Sequence, residues 1–228
     1  MRLRPPEGRI RWIRHEEAER LMAAAAGVRN YLPDFIRLGL NTGMRKGELL
    51  GLSWDRVDFD QEMVYLTDKD QKNGKHGSVP LNAEALAALN SRREFRETHC
   101  PQSPWVFANR AGERLGEIKK GFKTACEKAG IEDFHPHDMR HTCAAWLVQD
   151  GVDIRVVCEL LRHSSITVTM RYAHLSSRNV REAVERLSHF RPTLANGNKK
   201  AAEADPQAAD LEGALVGAAG FEPATPAV

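Results

Sequence analysis

The sequence predicts a mainly α fold with a small antiparallel β-sheet near the start, which places it in the α+β class. Helix-forming stretches occupy most of the first 190 residues, and only residues 54–81 show the period-two alternation that is typical of strands. Asn73-Gly74 lies between two of the extended stretches and is a strong hairpin signal. The 228 residues, 42% hydrophobic and 28% charged, suffice for a core without disulfides.

Local signals predict each element in chain order. Acidic residues in the first turn indicate a helix over 15–26, and Pro33 opens a second helix that Gly43 ends. A short helix over 46–52 precedes three strands, of which the last covers 75–81. Asn82 caps the next helix and residues 100–116 form loops. The remaining predicted helices cover 83–97, 117–129, 138–149, 153–161, 165–173 and 177–189.

Charge and composition narrow the function classes. The net charge is +2, but residues 196–228 carry −3, so residues 1–195 carry +5. This excess permits a polyanionic partner without requiring one. The four cysteines form no CxxC pair, which predicts reduced core thiols of a cytoplasmic protein. No apolar run approaches 18 residues and no apolar h-region follows Met1, so neither a membrane span nor a secretory signal is expected.

Residues 135–176 and 41–54 carry the chemistry. Arg45 lies in the motif NTGMRKGELLGLSW, and His137-x-x-Arg140 is followed by His163 and then by Tyr172 nine residues later. Lys72 stands at the predicted hairpin turn. Two arginines, a lysine, two histidines and a tyrosine are the groups that a metal-free transesterification of a phosphodiester requires.

Each residue type has a physical reason in such a reaction. A phosphodiester under attack gathers charge on its non-bridging oxygens, which the planar guanidinium groups of Arg45 and Arg140 can clamp. The phenol of Tyr172 becomes a nucleophile once a neighbour takes its proton. The ammonium of Lys72 can protonate the leaving 5′-oxygen. Because no carboxylate cluster for Mg²⁺ accompanies these groups, neither a metal nor a cofactor is predicted.

These motifs resemble those of the tyrosine recombinases, the integrases of phages and mobile elements, over roughly residues 10–190. The matching stretches are TGMRKGELLGLSWDRVD, KNGKHGSVPL, HPHDMRHTCAAWL and LRHSSITVTMRYAHLS. Position by position, the resemblance implies the catalytic set Arg45, Lys72, His137, Arg140, His163 and Tyr172, with Glu48 helping to order the pocket. Lys72 is preferred to Lys75 because it lies eight residues before Pro80.

The resemblance also implies a fold, an activity and partners. The fold is that of a tyrosine recombinase catalytic domain, and the activity is site-specific recombination through a 3′-phosphotyrosyl link, without ATP or metal. The partner is double-stranded DNA at attachment sites, bound by a homotetramer that is a monomer when free, with no membrane involved. The expected location is cytoplasmic, on the bacterial nucleoid or for a phage-encoded protein.

The sequence predicts three segments, and it departs from the family pattern at two points. Residues 1–12 are predicted to be a basic linker or arm, 13–190 the catalytic domain and 191–228 a disordered tail. The family usually has a core-binding domain before the catalytic one, so the chain is either truncated or acts as a catalytic domain alone. Arg162 stands where the family usually has glycine, and its side chain either adds a phosphate contact or crowds the helix turn.

Alternative functions remain open from the sequence. A topoisomerase would nick and reseal one strand with the same residues, and a truncated remnant would bind DNA without cutting it. A zinc site formed by His137, His141 and Cys143 is a further alternative. The joint occurrence of six residues at family spacing favours the recombinase over each structural interpretation of the single residues.

Overall fold

The computed structural model describes residues 10–67, 77–176 and 184–185. The chain divides into two compact units, Met1–Asn179 and Val180–Val228, and only Val184 and Glu185 of the second unit are described. The predicted Asn73-Gly74 turn with Lys72, most of the predicted helix over 177–189 and the tail from 191 therefore lie outside the described residues.

Within those ranges the predicted order of helices and strands is confirmed. Two short 3-10 helices, Trp54–Arg56 and Ala173–Leu175, accompany the main elements. The helices are α1 (His15–Ala26), α2 (Leu32–Thr42), α3 (Lys46–Leu50), α4 (Ala83–His99), α5 (Lys119–Ala129), α6 (Asp138–Gln149), α7 (Ile154–Leu160) and α8 (Ile166–Met170). The strands are β1 (Val57–Asp58), β2 (Met63–Leu66) and β3 (Gly77–Pro80).

The sheet is antiparallel with the order β1-β2-β3, as predicted. Val64 pairs with Val79 and is buried with it, whereas the neighbouring Tyr65 is exposed, which is the expected period of two. β1 is only two residues long because the Asp58 carboxylate accepts hydrogen bonds from the backbone N–H groups of Asp60 and Gln61. This local turn ends the strand and leads the chain back into β2.

Both helix caps that the sequence predicts are present. Gly43 ends α2 in the left-handed conformation at φ 60°, and the Asn82 side chain accepts a hydrogen bond of 2.9 Å from the Ala85 N–H at the start of α4. Gly43 matters most for the site, because the reversal at this residue directs the chain straight into α3.

Two apolar clusters support the fold. The larger one joins the sheet to α1, α2, α4 and α5, and the smaller one packs α6 and α7 against Tyr172, which follows α8. The chain entering α1 is fastened to α6, because Trp146 Nε1 donates to the Ile13 carbonyl and the Ile13 N–H donates to Thr142 Oγ1. All four cysteines are free thiols. In the described ranges no helix is long and apolar enough to span a membrane.

Candidate active site

Arg140 connects three segments that are distant in sequence. It lies in the first turn of α6 and is 3% exposed. Its Nη1 donates to the Gly43 carbonyl at 2.7 Å and its Nη2 donates to the Leu161 carbonyl. Because Arg45 follows Gly43 by two residues and His163 follows Leu161 by two, one guanidinium brings three predicted site residues to the same place.

Gly43 is required at this junction for two reasons. Its φ of 60° is strained for any residue with a side chain, and a Cβ atom here would overlap Leu161 Cδ2 and lie 3.3 Å from Cys143 Sγ. The end of α2 therefore approaches α6 and α7 closely enough for its carbonyl to accept the Arg140 hydrogen bond. The TGMR motif is thus a packing requirement as well as a chemical one.

Arg45 is held by Glu48 through its backbone and its side chain. The Arg45 backbone N–H donates to Glu48 Oε2 at 2.7 Å, which caps α3, and its Nη1 pairs with Glu48 Oε1 at 2.6 Å. The Glu48 side chain is only 1% exposed, so this charge-assisted pair is shielded from water. The carboxylate fixes the direction in which Arg45 points.

Tyr172 lies beside the arginines but is almost wholly buried. It follows α8, packs in the smaller apolar cluster and is 1% exposed. Its hydroxyl is hydrogen-bonded to His141 Nδ1. The His141 ring in turn contacts the exposed His137 edge-on, with 5.1 Å between ring centroids. The predicted nucleophile is therefore linked to His137 through a residue for which the sequence predicted only a zinc-binding alternative.

His163 is oriented by α8. Its Nδ1 is hydrogen-bonded to Thr169 Oγ1 at 2.8 Å, and Thr169 is fully buried. The Cys158 thiol also donates to the His163 carbonyl. The imidazole is therefore held at one nitrogen, which sets its position relative to the arginines.

Burial sets the protonation states of the site. Burial raises the pKa of Tyr172 to about 12, against the opposing effect of Arg171 and Arg140. Burial, followed by the Arg140 and Arg45 charges, lowers the pKa of His163 to about 4. The pKa of His141 also falls to about 4, again chiefly through burial. At neutral pH both imidazoles are neutral and the phenol is protonated, so the Tyr172 hydroxyl carries a proton and the His141 ring has one nitrogen without a proton.

Arg140 remains a cation in spite of its burial. Desolvation, followed by the charges of Arg45 and Arg162, lowers its pKa to about 10, and the Glu48 carboxylate partly opposes this. A pKa near 10 still leaves the guanidinium charged at neutral pH. The pocket therefore contains three buried or half-buried arginine cations around one carboxylate.

These histidines should make the fold acid-sensitive. Because the folded state lowers the pKa of His163 from 6.5 to about 4, protons bind the unfolded chain more readily. The stabilisation is complete above pH 6.5 and is lost as the pH falls towards 4. Replacing His163 by glutamine should reduce this loss by about 1 kcal/mol, after allowance for solvent screening. Urea unfolding at several pH values measures the free energy of unfolding of both proteins. The same change of that free energy with pH in the wild type and in His163→Gln would contradict the prediction.

The zinc alternative would combine His137, His141 and Cys143. Among the described residues, no three His, Cys, Asp or Glu side chains are placed together to hold a metal ion. His137 and His141 contact each other, and His141 also contacts Tyr172.

The structure thus brings together Arg45, Glu48, Arg140, His163 and Tyr172, and it places His137 beside them. Lys72 and the competing Lys75 lie outside the described residues. Two contacts were not foreseen from the sequence, namely Tyr172 to His141 and Arg162 to Glu48. The spacing of four between His137 and His141 puts both on one face of α6, and this signal could have indicated the first contact.

Known proteins share both sequence and fold with this chain. The phage integrase family model matches residues 11–179. The integrase of Salmonella phage P22 is 31% identical over 191 residues, covering 78% of this chain and 47% of that protein. The catalytic domain of bacteriophage HP1 integrase superposes with a TM-score of 0.61 and 26% identity, over 84% of this chain and 100% of that one.

A structure of XerH bound to its difH substrate before cleavage shares the fold, with a TM-score of 0.61 and 23% identity. That match covers 76% of this chain and 53% of XerH. The chain spans about half the length of the curated relatives that it matches first.

Proposed function

Since this chain belongs to the phage integrase family, we propose that it is a site-specific DNA recombinase that cuts and rejoins DNA through a 3′-phosphotyrosyl intermediate. The observation that supports the proposal most is the Arg140 guanidinium, which joins the segments carrying Arg45 and His163 beside buried Tyr172. The catalytic set is Arg45, Lys72, His137, Arg140, His163 and Tyr172, supported by Glu48.

The arginines stabilise the charge of the transition state. As Tyr172 attacks, negative charge grows on the non-bridging oxygens of the scissile phosphate. Arg45 is fixed by Glu48 and Arg140 by two backbone carbonyls, so both cations are in place before the reaction begins. Preorganised charges of this kind need no reorganisation at the moment of reaction, which is why they are effective.

Tyr172 has to leave its buried position and lose its proton in order to attack the phosphate. Tyr172 is too buried to touch DNA as it stands, so its segment has to move when the phosphate binds. Before this movement the neutral His141 imidazole is hydrogen-bonded to the Tyr172 hydroxyl, and it takes the proton if it stays within reach of that hydroxyl as the bond to phosphorus forms. The Tyr172 oxygen then bonds to phosphorus while the bond to the 5′-oxygen breaks.

Rejoining reverses these steps. A 5′-hydroxyl from a second DNA attacks the phosphotyrosyl link, and the Tyr172 oxygen recovers its proton as it leaves. The bond energy is kept in the link, so the reaction needs no ATP. The participants are double-stranded attachment sites and four copies of the chain, monomers when free, acting in the cytoplasm. The charge of +5 on residues 1–195 supports binding to phosphates.

A trapping experiment tests the proposal without a known target. Nicked duplexes with randomised sequence around the nick lose a short fragment after cleavage, so that the covalent complex cannot be rejoined. A DNA–protein complex that survives detergent, formed equally in EDTA, supports a metal-independent recombinase. No complex from any duplex supports the binding remnant and contradicts the proposal. Relaxation of supercoiled plasmid without strand exchange would indicate a topoisomerase instead.

Lys72 is proposed as the donor of the leaving-group proton. Lys72→Ala should slow cleavage of normal DNA by about a hundredfold, the range of a lost general acid. A bridging 5′-sulfur leaves without protonation, so this substrate should restore the rate of Lys72→Ala but not that of Arg140→Ala. The measurement is the single-turnover rate on both substrates. Rescue of Lys75→Ala in place of Lys72→Ala would transfer the role to Lys75.

A further inference from the structure

Arg162 occupies a backbone position that favours glycine. Its φ is 53°, in the left-handed region that residues with side chains rarely adopt. Its N–H donates to the Glu159 carbonyl and the next N–H, of His163, donates to the Cys158 carbonyl. This pair of bonds is the Schellman motif, in which the residue corresponding to Arg162 is usually glycine. The chain therefore carries a large side chain here at a cost to its backbone.

That side chain is folded into the site and not into solvent. Arg162 Nη2 pairs with Glu48 Oε2 at 2.8 Å, and Nη1 donates to the Leu160 carbonyl at 2.9 Å. Its side chain is 10% exposed, close to the burial of Glu48 itself. The sequence left two alternatives open for Arg162, a phosphate contact or crowding of the helix turn. The side chain does not crowd the turn, because it extends to Glu48 on α3.

Glu48 consequently serves two guanidinium groups. Oε1 pairs with Arg45 Nη1, and Oε2 accepts both from the Arg45 backbone and from Arg162 Nη2. With Arg45 alone, one carboxylate would offset one arginine and leave that arginine less attractive to a phosphate. A second counterion on the other oxygen takes up part of the carboxylate charge and also prevents it from rotating.

We propose that Arg162 is a positioning residue, which holds and partly neutralises Glu48 so that Arg45 keeps both its direction and its charge for the scissile phosphate. This inference rests on the proposed recombinase function. It accounts for the presence of an arginine at a position where the backbone favours glycine. Arg162 contacts α3 through the Glu48 carboxylate, and the same carboxylate holds Arg45. Arg162 therefore influences Arg45 through Glu48.

The test compares single-turnover cleavage of a nicked duplex by the wild type and three variants, at a temperature well below the lowest unfolding midpoint of the set. Arg162→Gly should raise or preserve the unfolding midpoint, because glycine accepts the left-handed backbone, yet slow cleavage about tenfold or more, as small misplacements of catalytic groups do. The cleavage rate of Arg162→Lys should fall between those of the wild type and Arg162→Gly, because lysine keeps the positive charge but lacks the two-pronged geometry of a guanidinium. Arg155→Ala, an exposed arginine of α7, is the control and should match the wild type at saturating DNA.

The decisive comparison repeats Arg162→Gly in a Glu48→Gln background. If Arg162 acts through Glu48, the second substitution should then cost no more than about threefold, because coupled residues are not additive. Cleavage by Arg162→Gly at the wild-type rate would overturn the inference, and so would effects that multiply, since these indicate direct phosphate contact. A wild-type protein that traps no DNA would overturn the proposed function itself, which is a separate outcome.

Discussion

Replacing Tyr172 by phenylalanine should abolish covalent capture of DNA while leaving the fold and DNA binding nearly unchanged. The substitution removes the one oxygen proposed to attack phosphorus. The ring stays in the apolar cluster, and the lost hydrogen bond to His141 is worth only about 1 kcal/mol of stability. Detergent gels of nicked duplexes measure capture, and gel shifts measure binding.

Tyr65→Phe is the matched control for that experiment. Tyr65 lies on β2 with 47% of its surface exposed, so its variant should capture DNA as the wild type does. A detergent-stable complex formed by Tyr172→Phe would show that another residue is the nucleophile. Loss of capture by both tyrosine variants would point to a general effect on folding.

Arg140→Lys should be the most damaging conservative change among the arginines. A lysine ammonium cannot reach both the Gly43 and Leu161 carbonyls and also span two phosphate oxygens. Losing one fixed transition-state donor costs about 3 kcal/mol, or around a hundredfold in cleavage rate. A carbonyl left without its donor should also lower the stability by about 1–3 kcal/mol.

A second buried arginine, Arg92, provides a control that separates the effect of Arg140→Lys on cleavage from its effect on stability. Arg92 is 2% exposed and its Nη1 lies 3.8 Å from the Asp34 carboxylate. These two residues lie on α4 and α2, neither of which carries a residue of the proposed catalytic set. Arg92→Lys should therefore lower the unfolding midpoint without slowing cleavage, measured where both variants are folded. A cleavage rate for Arg140→Lys within a few-fold of the wild type would contradict the clamp.

Local signals were sufficient for the backbone of this fold. Helix ends depend on caps within a few residues, so Gly43 and Asn82 placed the ends of α2 and the start of α4 correctly. β1 covers only two residues of the alternating stretch because that pattern gives no weight to the Asp58 carboxylate, whose hydrogen bonds turn the chain. Side-chain chemistry of this kind competes with strand pairing.

The sequence indicated residues that the structure brings together, but not the contacts between them. The motifs that resemble those of the family indicated Arg45, Arg140 and Tyr172. The destination of the Arg162 guanidinium depends on how α7 packs against α3, which no local pattern encodes. The hydrogen bond between Tyr172 and His141 likewise depends on the distance between α6 and the end of α8.

The most direct test of the account is to locate the DNA on the protein. Trapped complexes are digested with trypsin and nuclease, and the peptide that retains a nucleotide phosphate is sequenced by mass spectrometry. The account predicts the modification on Tyr172, in the peptide YAHLSSR that follows Arg171. A phosphate on Tyr31, on Tyr65 or on any serine or histidine of the chain would contradict it.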